Sequence, residues 1–183
     1  MSEPSPLLKP LAPATTAARL WKNGKFITDT WRLTADDAPF PIDGRAILTL
    51  AHWRSEQAAI LATGLAVGVI IQANEALDPQ TDNLERLHVI ALNFPKFTDG
   101  RAYSTARRLR EEYGYTGELR ATGDVLIDQL PLMLRSGFDA FEIVNEPTIA
   151  ALERGAIPAV SRVYQRNVTR DAGRWQPRTG VKL

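Results

Sequence analysis

The 183-residue chain contains no cysteine, two histidines (His52 and His88) and two methionines. Without thiols there is no disulfide framework, no thiolate zinc site, no cysteine-held iron–sulfur cluster and no thiol redox chemistry. Two histidines are too few for a His-rich centre, so the sequence implies no metal and no resident cofactor. Any redox role would then use a borrowed cofactor or a partner. Long apolar runs are missing too. The longest, Leu65 to Ile71, is interrupted by Gly68 and falls far short of the roughly 20 residues a membrane-spanning helix needs. The opening Met1-Ser2-Glu3-Pro4-Ser5-Pro6 lacks the basic and apolar regions of a secretory signal, so a cytoplasmic location is expected, with no membrane partner.

A large charge excess is also absent: 22 Lys+Arg stand against 21 Asp+Glu, a net charge of +1. The balance is uneven along the chain. Residues 166–183 carry Arg166, Arg170, Arg174, Arg178 and Lys182 against Asp171 alone, leaving 17 basic and 20 acidic residues for the rest. Gly173, Pro177 and Gly180 argue against a continuous helix there, so the segment reads as a basic tail suited to an acidic partner. The net-acidic body argues against nucleic acid as the partner. Hydrophobic residues make up 44%, an ordinary share for a soluble domain, and the length suits one core without staples.

Residues 1–19 are Pro/Ala/Thr-rich and read as a flexible leader, followed by one domain over 20–165. That domain begins with a hairpin region, 20–44, in which Asn23-Gly24 is a strong two-residue turn signal. From Arg45 onward short apolar runs alternate with helical patterns. Strands are expected at Ala46–Leu50, Val67–Gln72, His88–Leu92, Glu118–Ala121 and Phe138–Val144, with a further one at Ala159–Tyr164. Helices are expected at Ala51–Ala62, Asp99–Tyr113, Asp124–Ser136 and Pro147–Arg154. Pro131 either kinks the third of these or marks its true first turn. The alternation implies an α/β fold with a mostly parallel sheet, either an open doubly wound sheet or an incomplete β/α barrel.

Ligands of parallel α/β proteins collect beyond the carboxyl ends of the strands. Three junctions fall there: Asn93 to Arg101, Arg120 to Asp124, and Glu142 to Glu146. If the strands are neighbours, Lys96, Thr98, Asp99, Arg101, Arg120, Thr122, Gly123, Asp124, Asp128, Gln129 and Glu142 share one mixed-charge rim. Each has a plainer reading. Asp99 and Asp124 look first like helix caps, and Lys96 and Arg101 like solvated loop charges. Arg120 is the sharpest case, because strand alternation sets it beside Glu118 and away from Leu119. An inward Arg needs a carboxylate or a bound anion, and Asp124, Asp99 and Glu142 are the candidate partners. No dinucleotide, Walker-type or nucleophile-elbow motif is present. The two histidines read as packed or surface residues rather than bases.

The blocks from Ala91 to Arg101 (ALNFPKFTDGR) and from Gly117 to Leu130 (GELRATGDVLIDQL), with Arg135–Phe141 and the Lys22–Phe26 turn, resemble a bacterial family of uncharacterised proteins. That family is encoded beside sulfite reductase and described as a probable oxidoreductase involved in sulfite reduction. The likeness runs from about Trp21 to Gln165. Its polar motif falls on Thr98, Asp99, Gly100, Arg101, Arg120, Gly123, Asp124, Asp128 and Gln129. Some members have Cys where this chain has Ser136, so a thiol there is not essential to the shared role. The resemblance implies a place in assimilatory sulfite reduction and not a mechanism; because these residues carry no redox or catalytic motif, a non-catalytic accessory protein is expected. It would dock, without turnover of its own, on the sulfite reductase haemoprotein or its electron donor. The alternative is a small enzyme or sensor that binds an anionic sulfur or phosphate metabolite at the Arg/Asp rim. Self-association stays open.

Overall fold

A computed structural model describes residues 18–35, 38, 40–41 and 44–156. The leader through residue 17, the expected strand Ala159–Tyr164 and the basic tail lie outside the described residues.

Five parallel strands form the centre: β4 (Ala46–Thr49), β5 (Val67–Ile71), β6 (Leu87–Phe94), β7 (Glu118–Gly123) and β8 (Ala140–Ile143). They are preceded by β1 (Arg19–Lys22), β2 (Lys25–Ile27) and β3 (Arg32–Leu33), and the sheet order is β2-β1-β8-β7-β6-β5-β4-β3. The Asn23-Gly24 hairpin forms as expected. Both turn residues adopt positive φ, 53° and 82°, which L side chains other than Asn or Asp take at a cost. Its first strand then pairs antiparallel with β8 and extends the main sheet. At the other edge, β3 pairs parallel with β4, an element too short to show periodicity in sequence.

Helices α1 (Leu50–Thr63), α2 (Arg101–Glu111) and α3 (Leu130–Arg135) connect successive parallel strands, a single 3-10 turn (Leu84–Arg86) precedes β6, and α4 (Glu146–Glu153) follows β8. Each parallel strand lies beside the next in the chain. Right-handed crossovers then put the helices on one face, and the eight-stranded sheet curls into half of a barrel. The doubly wound alternative is thereby excluded.

The helix-side core is built from alternate strand residues: Leu48, Val69, Ile90, Leu92, Leu119, Ala121, Phe141 and Ile143 are all buried. Helix α2 meets them with Ala102, Ala106, Leu109 and Arg110, spaced to share one face. In α1, Trp53 is fully buried and donates its indole N–H to Asp82 O at 2.9 Å. Arg54 grips the same residue's carboxylate at 2.7 and 2.8 Å, tying α1 to the long β5–β6 connection.

The opposite face carries Ile47, Val89 and Ala91, packed under Trp31 and Ile70. Two expectations are corrected. Helix α3 is shorter than expected and begins at Leu130, so that Pro131 marks its true first turn, as one of the two readings had it, while residues 124–129 are loop and Asp124 caps nothing. Strand β6 runs two residues beyond Leu92, since Asn93 and Phe94 still pair with Thr122 and Gly123. Among the described residues no helix is long and apolar enough to cross a membrane.

Candidate functional site

The rim expected from sequence divides into two groups. The first lies at the carboxyl end of β6. Here the loop after Phe94 carries Lys96, Phe97, Thr98 and Asp99 into α2, and the loop after Gly123 carries Asp124, Asp128 and Gln129 into α3. The two loops hold each other. Asp124 N donates to Phe94 O (2.8 Å), Phe97 N donates to the Asp124 carboxylate (2.9 Å), and the Gln129 amide donates to Phe97 O (2.6 Å). Phe97 thus has both backbone groups fixed while its side chain stays outside, with the residue 52% exposed.

Gly123 makes the approach of these loops possible. Its φ is +88°, and a Cβ there would sit 2.4 Å from Phe94 O and 2.6 Å from Asn93 Oδ1. Asp99 is not the N-cap of α2; Gly100 holds that position. The Asp99 carboxylate instead accepts from the Arg101 backbone N–H (3.1 Å) and from its guanidinium (2.6 and 3.0 Å). Those bonds hold the Asp99 carboxyl down at about 2. Tyr103 packs edge-on against Phe94, with ring centroids 5.2 Å apart. Its hydroxyl is pushed above the ordinary range by burial and then by Asp128.

The second group lies on the helix-free face. Arg120 is only 1% exposed. Its guanidinium donates to both oxygens of Asp29 (2.6 and 3.1 Å) and to Glu118 Oε1 (2.9 Å from Nε). Glu118 also takes Lys22 at 2.6 Å. Desolvation works against the Arg120 charge, and the bonds to Asp29 and the field of Glu118 more than offset it, leaving its pKa raised. Of the three partners expected, Asp99 and Asp124 are engaged elsewhere. Only Glu142 lies within the electrostatic reach of Arg120. Burial pushes the Glu142 carboxyl up; Arg120 pulls against this and Asp29 adds to it. Thr122 follows on the same face, with its hydroxyl buried and without a hydrogen-bond partner.

Arg101 and Arg120 therefore do not form one anion-binding pair. Asp29 was missed by sequence reasoning because it sits 91 positions from Arg120 in a stretch with no periodic pattern. Phe97 and Asn93 lie in the Ala91–Arg101 block, but only the β6–β7 register places Asn93 and only the loop hydrogen bonds place Phe97. Cleft space at this end is small. The cleft lined by Gln72, Asn93, Arg101 and Thr105 holds about 10 Å³, room for one water at most. A larger open hollow of about 300 Å³ lies by Leu65, Arg86 and His88, toward the amino ends of the strands, where ligand sites of β/α folds are not found. Among the described residues no group of three or more His, Asp or Glu is placed to hold a metal ion.

Comparison with known proteins gives the class of protein at the level of a family. Residues 68–175 match a family described as bacterial proteins of unknown function, DUF934. The match covers more than half of the chain, and the chain belongs to that family. No curated protein matches it.

Proposed function

We propose that the protein is an accessory component of assimilatory sulfite reduction. It docks on the sulfite reductase haemoprotein or on that enzyme's electron donor and does not itself turn over substrate. The pathway rests on the resemblance of the Ala91–Arg101 and Gly117–Leu130 blocks. The docking role is supported by the display of Phe97, an aromatic side chain half in water whose backbone N–H and C=O are both already bonded. A group held this way loses little freedom on binding. Aromatic side chains are the anchors that dominate interface energy, each worth about 2 kcal/mol or more at a hot spot. Exposed Lys96 adjoins it and suits an acidic partner through steering, as would the basic residues 166–182.

The anion-binding alternative has less support. Asp99 holds Arg101, and Asp29 with Glu118 holds Arg120, so an anion would have to displace a carboxylate to reach either cation. The test is affinity capture of the full chain from cells growing on sulfate as sole sulfur source. Sulfite reductase or its donor should co-purify, more weakly as salt is raised. Phe97→Ala should lose it by about 30-fold in affinity, with the melting temperature unchanged. Absence of both partners from the eluate, together with a melting shift caused by sulfite or sulfate, would overturn the docking reading in favour of an anion site.

A further inference from the structure

On the helix-free face, four successive parallel strands end with one polar residue each at a common level: Gln72 just past β5, Asn93 on β6, Thr122 on β7 and Glu142 on β8. The register carries this alignment. Ile71 lies beside Leu92, Asn93 beside Thr122, and Arg120 and Ala121 beside Ala140 and Phe141, which brings Thr122 level with Glu142. In β/α barrels this carboxyl-terminal layer of the inner face is where ligands sit.

The layer is left chemically incomplete. Thr122 is 6% exposed, and its hydroxyl makes no hydrogen bond, which is rare for a buried polar group in a finished structure. The Glu142 carboxylate accepts no hydrogen bond among the described residues. The nearest guanidinium, that of Arg120, is spent on Asp29 and Glu118. Asn93 gives its amide N–H to Gln72 Oε1 at 2.7 Å, and its own Oδ1 lies against the bare Cα of Gly123. The unused groups are therefore a carboxylate, a hydroxyl and an amide oxygen, all able to accept.

Charge selects the complement. Asp29, Glu118 and Glu142 face Lys22 and Arg120, an excess of one negative charge when all are ionised. An anion meets a spare carboxylate and no spare cation. A neutral ligand leaves the excess standing. We propose that this layer binds a small ligand bearing one ammonium group, which donates to Glu142, Thr122 and Asn93. The Glu142 carboxyl, raised by burial, is the kind of group that a cation would complete.

The site is independent of the docking role, and the full chain tests it directly. The ¹⁵N-labelled protein is titrated at neutral pH with three probes of similar size: ethanolammonium, acetate and ethylene glycol. Ethanolammonium should give saturable amide shifts concentrated at Gln72, Asn93, Thr122 and Glu142, with acetate and ethylene glycol giving none there. Glu142→Gln, nearly the same shape without the charge, should weaken the apparent Kd by at least about tenfold. Thr122→Val should weaken it by about three- to tenfold, and it serves as the second variant if Glu142→Gln disturbs signals beyond the layer. Absence of saturable shifts with ethanolammonium, equal shifts with acetate or glycol, or unchanged affinity in the variants would each overturn the proposal.

Discussion

Replacing Asp29 by Ala isolates the ion pair that fastens the segment after the hairpin to the sheet. Arg120 is 1% exposed and makes bonds of 2.6 and 3.1 Å to Asp29. Removing one partner of a buried pair costs about 3–5 kcal/mol when the remaining charge is left alone. Here two terms reduce that figure. Glu118 stays bonded to the same guanidinium at 2.8 Å, and the Asp29 side chain is itself 30% exposed, so part of its attraction is already screened. A cost of about 2 kcal/mol remains. In urea, with a slope of about 2 kcal/mol/M, the midpoint should fall by about 1 M at unchanged slope.

Arg120→Met supplies the control that makes the reasoning refutable. It removes the buried charge and keeps most of the volume. Glu118 keeps Lys22 at 2.6 Å, and the freed Asp29 turns to water. Replacing a buried ion by an apolar side chain of similar size is often close to neutral, so Arg120→Met should cost less than Asp29→Ala. The double variant should resemble Arg120→Met alone, a coupling of about 2 kcal/mol in the cycle. If Asp29→Ala shifted the midpoint by less than about 0.2 M, or the two losses simply added, the pair would not be fastening this face.

Glu142 and Gly123 give two further expectations. Burial raises the Glu142 carboxyl above the ordinary 4.5 of a glutamate, so the folded state holds this proton more tightly than the unfolded chain. The resulting stability is fully present below the unfolded value and is lost as pH rises through the folded one. Glu142→Gln should therefore be more stable than the parent at pH 8, with the difference vanishing in acid; equal melting temperatures at both ends would refute the burial argument. Gly123→Ala should cost about 2–3 kcal/mol, because φ +88° is unfavourable for Ala by about 1–2 kcal/mol and its Cβ would press on the Phe94 carbonyl. A melting temperature within a degree of the parent would refute it.

The central strands could be read because they are largely buried on both sides, so that Val67–Ile71 and Ala46–Leu48 appear as short, mostly apolar runs, the first holding Gly68 within it. Helix α1 was equally legible, with Thr49 capping its first turn and Gly64 in the left-handed conformation closing it. The early start expected for α3 at Asp124, against which Pro131 already spoke, has a definite cause. Val125-Leu126-Ile127 looks like a helical face, but Pro131 offers no N–H to a helix begun at Asp124, and the chain resolves this by starting the helix around the proline. The choice between a doubly wound sheet and half a barrel was invisible because it depends on strand order, which local pattern does not encode. The same is true of Arg120. That it needed a carboxylate followed from its position on a strand, but which carboxylate followed only from how the chain returns after the hairpin.

Strand order also explains why the helix-free face is built as it is. A sheet wound in one direction covers one face with its crossovers and must cover the other with something else. Over β4, β5 and β6 this chain does so with apolar side chains, Trp31 and Ile70 packing on Ile47, Val89 and Ala91. Over β7 and β8 the same returning segment is attached by charge, Asp29 to Arg120, with Glu118 and Lys22 completing the set. An apolar pair at that position could slide along the sheet at little cost. A bidentate guanidinium–carboxylate pair has one geometry and fixes the segment in register with β7. The cost is a polar half-face in which Thr122 is buried and Glu142 half-buried beside a cation already fully engaged, and it falls at the strand ends where a β/α fold gathers its ligands.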